Sequence, residues 1–208
     1  MKAVLIDFGG VLYRTPNPRW LPLLHRLLHA LGLVGESNLG LLEMMRASPG
    51  VSPLVMDVMT GRVPEPAVWA EAARAWRISP ARLERMRQSA YHPRRLNQSL
   101  LEAVDQLRPR YKTALLTNAG SDFRLTFVAR YGLEPHFDQV IISAEEGLAK
   151  PDPRIYHLAA GRLGIAPEEA LLIDDLAENV AGAQSAGMQA VVYPGLPETL
   201  VLLQKLAP

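Results

Sequence analysis

Five short apolar runs separated by helical patterning limit this chain to a small set of folds. The runs are Ala3 to Phe8, Lys112 to Leu116, Gln139 to Ser143, Ala170 to Ile173 and Gln189 to Tyr193. Polar or turn-forming residues follow: Gly9-Gly10 after the first, Thr117-Asn118-Ala119-Gly120 after the second, Asp174-Asp175 after the fourth. Short, continuous apolar runs suit strands buried on both faces of a parallel sheet. Between them, helical patterns cover about 97–107, 121–131, 153–163 and 178–186. Strand–helix alternation with right-handed crossovers predicts an α/β fold built on a doubly wound parallel sheet.

The stretch between the first two runs breaks this alternation. Trp20, Leu23, Leu24, Leu27, Leu28 and Leu31 fall on one helix face, and Trp69, Ala72, Ala73 and Trp76 repeat the spacing. Pro and Gly separate the segments, and no strand pattern appears. A small all-helical cap over 16–94 is therefore expected, inserted after the first strand of an α/β core formed by 1–15 and 95–208.

Composition narrows the function. With 49% hydrophobic and 21% charged residues, the chain is neither disordered nor collagen-like. A net charge of +1 argues against a nucleic-acid partner. The absence of cysteine excludes disulfides, thiolate zinc sites, iron–sulfur clusters and a thiol nucleophile. The apolar start is too short for a signal peptide, and His25, Arg26 and His29 interrupt the most apolar stretch. A cytoplasmic protein with no membrane partner is expected, as monomer or homodimer. The five histidines lack metal-ligand spacing.

In open α/β sheets the site lies beyond the carboxyl ends of the strands. Asp7, Thr117-Asn118, Ser143 to Glu146 and Asp174-Asp175 fall there, and Lys150 follows in a loop bounded by Pro151 and Pro153. Burying several carboxylates together is costly unless their charge is neutralised. A hard divalent cation with oxygen ligands does so, and Mg²⁺ is the usual choice. A carboxylate nucleophile, a hydroxyl, an ammonium and a metal-binding acid pair make a phosphoryl-transfer site. Singly, each has a plainer account: a turn for Asp7, helix caps for Thr117-Asn118 and Asp174-Asp175, a solvated loop for Lys150. Their convergence at one sheet edge favours chemistry.

Asp7-Phe8-Gly9-Gly10-Val11-Leu12 resembles the first motif of the haloacid dehalogenase superfamily of phosphohydrolases. Leu115-Leu116-Thr117-Asn118 is similar to the second, Gly147-Leu148-Ala149-Lys150-Pro151-Asp152 to the third, and the segment from Leu172 through Asp174-Asp175 to Val180 to the fourth. The four occur in the family's order. The resemblance implies a Rossmann-like core with Asp7 as nucleophile, forming an aspartyl-phosphate. It implies Mg²⁺ held by Asp7, the Gly9 carbonyl and Asp175, with Asp174 close or water-linked. Thr117 and Lys150 would hold the phosphoryl oxygens, Asn118 would help shape that cradle, Asn179 would orient the acidic loop, and the cap would contact the substrate.

One position departs from the family. Gly9 stands where the first motif usually carries a second Asp, the general acid for the leaving group and later the base for water. Such help is typically worth about 10²–10⁴-fold. A branch of the superfamily carries Asp-x-Gly and is still assigned as phosphatases, so the Gly does not exclude turnover. Substitute acids are the cap, Glu145, Glu146 and Asp122; spacing does not choose among them.

The expected function is a Mg²⁺-dependent phosphatase acting on a small phosphorylated metabolite. The alternative is a non-catalytic module of the same fold that binds phosphate or another ligand. A 2-haloacid dehalogenase would leave the metal-binding acids unexplained. A receiver domain has its acid pair after the first strand, and no phosphate-binding glycine motif follows a strand here. Arg14, Arg19, Arg94 and Arg95 border the cap hinges, as solvated surface or as a clamp on a phosphorylated substrate.

Overall fold

The computed structural model describes residues 1–13, 51–90 and 96–206. The Trp20-to-Leu31 helix face, His92 and the hinge arginines Arg14, Arg19, Arg94 and Arg95 lie outside the described residues.

Five parallel strands form the sheet: β1 (Ala3–Ile6), β2 (Lys112–Thr117), β3 (Gln139–Ile142), β4 (Ala170–Asp174) and β5 (Gln189–Val192), in the order β3-β2-β1-β4-β5. Ala3 pairs in register with Lys112 on one side and Ala170 on the other. The order reverses direction at β1, which opens a crevice between the carboxyl ends of β1 and β4.

Successive strand residues point to opposite faces, and both faces are covered. Val4, Ile6, Leu115, Leu171 and Ile173 pack with Leu100, Leu101, Val104 and Leu107 of α4 (Gln98–Leu107) and Leu203 of α8 (Leu196–Gln204). Ala3, Leu5, Leu116, Ile141 and Leu172 pack with Ile155, Tyr156 and Ala159 of α6 (Pro153–Leu163) and Ala183 of α7 (Ala177–Ser185). The short α5 (Ser143–Glu146) continues from β3. Asn97 caps α4, its side chain accepting from the Leu100 N–H. Asp152 caps α6 in the same way through the Arg154 N–H, with Pro153 at the first helical position.

The expected helix over 121–131 forms with a wider turn. Residues Arg124–Ala129 are π-helical, and the Asp122 carbonyl accepts from Leu125 N–H, Thr126 N–H and the Thr126 hydroxyl. Phe123 and Phe127 stack at 4.9 Å, and each meets the Phe8 ring edge-on, at 4.8 and 5.2 Å. Phe8, the residue after Asp7, is thus wedged by two aromatics from this turn.

Between β1 and α4, three helices are described: α1 (Ser52–Met59), α2 (Glu65–Ala75) and α3 (Pro80–Ala90). Val51, Val55, Val58, Val68, Ala72, Ala73, Trp76 and Leu83 form their own apolar cluster, which also takes in Ala149 from the core. The Trp69 indole N–H donates to Glu65 at 2.8 Å. Among the described residues, no helix is long and apolar enough to cross a membrane.

Candidate active site

The carboxyl ends of three strands converge here. Asp7 follows β1, and its N–H donates to the Ile173 carbonyl at 3.0 Å, so β4 sets where it emerges. Thr117 ends β2 and Asp174 ends β4; Asp7, Thr117 and Asp174 are all buried. The next residue, Asp175, is exposed. Asp7, Asp174 and Asp175 each bring a carboxylate oxygen within 4.8 Å of the others.

Lys150 enters this cluster from the loop after α5 and is buried. Its ammonium donates to Asp7 Oδ1 at 2.6 Å, to Asp174 Oδ2 at 2.6 Å and to the Leu116 carbonyl at 2.9 Å. Asp174 is held from every side: it also accepts from the Leu176 N–H at 2.9 Å and from Asn179 Nδ2 at 2.9 and 3.1 Å. Asn179, which the resemblance assigns to orienting the acidic loop, makes both of these contacts with Asp174. Asn118 contacts the Lys150 backbone rather than its head group: Nδ2 donates to the Lys150 carbonyl at 2.7 Å, and Oδ1 accepts from the Lys150 N–H at 2.8 Å. The Ser143 hydroxyl bonds both the N–H and the carbonyl of Ala119, at 3.0 and 3.3 Å.

Burial pushes the Asp7 carboxyl up to about 7; Lys150 pulls it back down, and the Asp174 and Asp175 carboxylates add to the rise. Burial also works against the Lys150 charge, yet Asp7 and Asp174 outweigh it and hold its pKa above the usual lysine range. The carboxylates of Asp7, Asp174 and Asp175 make an all-oxygen donor set of the kind that fits a hard divalent cation.

Gly9 lies in a tight turn, in which Gly10 N–H donates to the Tyr13 carbonyl and Tyr13 N–H to the Phe8 carbonyl. Two of the substitute acids are committed elsewhere: Glu145 pairs with Arg124 at 2.7 Å and Glu146 with Arg162 at 2.7 Å. Asp122 Oδ1 is buried with no hydrogen-bond partner among the described residues.

Two contributors escaped the sequence reading. The Leu116 carbonyl is a backbone acceptor, so residue type carries no sign of it. Tyr156 is fully buried and its hydroxyl donates to the Asn179 carbonyl at 2.7 Å. On the apolar face of α6 it reads as core, and the only hint is that a buried Tyr hydroxyl needs an acceptor.

A family model described as haloacid dehalogenase-like hydrolase matches residues 1–187. The chain belongs to the haloacid dehalogenase-like hydrolases. A phosphoserine phosphatase from Thermus thermophilus is 33% identical to this haloacid dehalogenase-like hydrolase over 163 residues, which are 76% of this chain and 64% of that relative. The chain spans less than two thirds of the length of this and the next curated relatives it matches. A haloacid dehalogenase family enzyme from Bacteroides thetaiotaomicron, solved with magnesium and inorganic phosphate, superposes with a TM-score of 0.68 at 21% identity, covering 92% of this chain and 93% of that one. A 2-haloacid dehalogenase from Pseudomonas syringae superposes with a TM-score of 0.56 at 21% identity, covering 93% and 86%. At such identities the likeness is one of fold, and that fold is compatible with either chemistry.

Proposed function

We propose that this hydrolase is a magnesium-dependent phosphatase that acts on a small phosphorylated metabolite through an aspartyl-phosphate on Asp7. The observation that carries the reading is the convergence of Asp7, Asp174 and Asp175 around the buried Lys150 ammonium. The phosphatase relative and the magnesium- and phosphate-bound neighbour point the same way. In the first step an Asp7 oxygen attacks phosphorus, the ester P–O bond breaks, and the leaving oxygen takes up a proton. In the second, water attacks the phosphorus, which releases inorganic phosphate and restores Asp7. Thr117 and Lys150 hold the phosphoryl oxygens as charge builds on them.

Asp7, the Gly9 carbonyl and Asp175 would hold Mg²⁺, with Asp174 behind them, its oxygens already engaged by Lys150, Asn179 and the Leu176 N–H. When bound, the ion supplies positive charge that neutralises phosphoryl oxygens and favours the ionised form of Asp7. The Lys150 ammonium, 2.6 Å from Asp7 Oδ1, serves the same end.

The second reading is a ligand-binding module without turnover, and Gly9 favours it because no carboxyl stands two residues after Asp7. Activated phosphoesters separate the two. With Mg²⁺, para-nitrophenyl phosphate or acetyl phosphate is expected to turn over, and Asp7→Ala to abolish release. Release no greater than in that variant would favour the binding module. A metal-free dehalogenation leaves Asp175 without a role.

A further inference from the structure

Asn118 stands in the loop after β2 and Lys150 in the loop after α5, 32 positions later. Their two hydrogen bonds close a ring: the side-chain amide lies against the Lys150 peptide unit, donating to its carbonyl and accepting from its N–H. Two positions before Asn118, the Leu116 carbonyl accepts from the Lys150 ammonium at 2.9 Å. The segment 116–118 therefore grips Lys150 at both ends, peptide and head group. A lysine stem has four rotatable bonds and resists being fixed. Anchoring its backbone is what makes a buried ammonium, 2.6 Å from both Asp7 and Asp174, reproducible. Both heavy polar atoms of the Asn118 amide are engaged, and its plane is set by the Lys150 peptide.

We infer that Asn118 is a positioning residue that acts through Lys150, not a contact to the phosphoryl group. The inference rests on the phosphatase reading and assigns Asn118 a part in it.

A double-mutant cycle of Asn118→Ala and Lys150→Met tests this, read in acetyl phosphate turnover with Mg²⁺ and in calorimetric binding of inorganic phosphate. The phosphate arm keeps the cycle readable where Lys150→Met turns over too slowly. Asn118→Ala alone is expected to lower kcat/KM by about 10- to 100-fold, the loss of two hydrogen bonds. In the Lys150→Met background the same change is expected to cost less than about 2-fold, because the group it positions is gone. Hydrogen exchange adds a readout independent of turnover: the Lys150 amide should lose protection in Asn118→Ala while β1 and β4 keep theirs. An Asn118→Ala effect that persists undiminished beside Lys150→Met would overturn the inference, as would unchanged protection at Lys150. Wild-type protein without Asp7-dependent turnover would instead overturn the phosphatase reading, and this inference with it.

Discussion

A Cβ placed on Gly10 would lie 1.9 Å from Asp175 Oδ2. The turn after Asp7 and the acidic loop after β4 are therefore in direct contact, and a side chain between them has no room. Gly10 also sits at φ +79°, a conformation L-residues disfavour. Gly10→Ala should push Asp175 away from Asp7 and weaken Mg²⁺ binding by at least about tenfold, by analogy with losing a group that orients a metal ligand. Calorimetric titration of the variant with Mg²⁺ checks this, and an unchanged affinity would show that Asp175 is not a ligand.

The neighbouring glycine behaves oppositely. A Cβ on Gly9 meets nothing within 4 Å, and Gly9 is not among the positive-φ glycines. Gly9→Asp should fold with a melting temperature close to that of the wild type. If leaving-group protonation limits turnover, the new carboxyl should speed sugar phosphates by about 10²-fold or more, the lower end for general acid catalysis. Aryl phosphates, which leave without much protonation, should gain far less. Equal gains on both classes would show that protonation is not the limit; Mg²⁺ affinity measured alongside shows whether the loop itself has shifted.

The rise of the Asp7 pKa to about 7 is also a statement about stability. Well below pH 3.8 the carboxyl is protonated in both folded and unfolded chains, so there it costs nothing. Between its ordinary value of 3.8 and about 7, the unfolded chain ionises first, and the metal-free fold loses stability as pH rises. At about 1.4 kcal/mol per pH unit, the full effect is of order 4 kcal/mol above pH 8. Asp7→Asn should accordingly raise the melting temperature of metal-free protein at pH 8 and change it little at pH 4. Thermal scans in chelator at the two pH values decide it; a destabilised Asp7→Asn at pH 8 would mean that the Lys150 pairing outweighs burial.

How much of this was visible in the sequence depends on whether side chains or backbone carry the feature. All five strands lie within two residues of the apolar runs, because burial on both faces leaves an unbroken apolar pattern. Pro153–Leu163 is helical as expected, with Asp152 and Pro153 as its start signal. Asp7, Thr117 and Asp174-Asp175 stand out in the sequence by their strand-end positions, and Lys150 by its place in a Pro-bounded loop. The wide turn at Arg124–Ala129 was not, since a π-helical turn and an α-helical one share nearly the same spacing. Helix α8, with apolar Leu196, Leu200 and Leu203 after Pro194-Gly195, lies beyond the last helical pattern read in the sequence. The Asn118 grip on Lys150 depends on which loops meet, which no local pattern records.

The helices between β1 and α4 meet the core at backbone distance. Gly61, just past the end of α1, has φ +71°, and a Cβ there would lie 2.3 Å from the Ala144 carbonyl oxygen. Close by, Val58 Cγ1 would lie 3.2 Å from a Cβ on Gly120, and Ala149 belongs to the apolar cluster of these helices. The three seats flank the loops that carry Asn118 and Lys150, so displacing the helices disturbs the surroundings of those loops. Gly61→Ala adds both overlap and a left-handed strain, together about 1–3 kcal/mol against the seated position. Substrates larger than acetyl phosphate should feel it most: kcat/KM for sugar phosphates should fall about tenfold or more, the rate equivalent of that strain. Acetyl phosphate, which needs only the core groups, should change far less. Losses of equal size on both would mean that the overlap is absorbed by α5 and passed to the Lys150 loop, with the helices left in place.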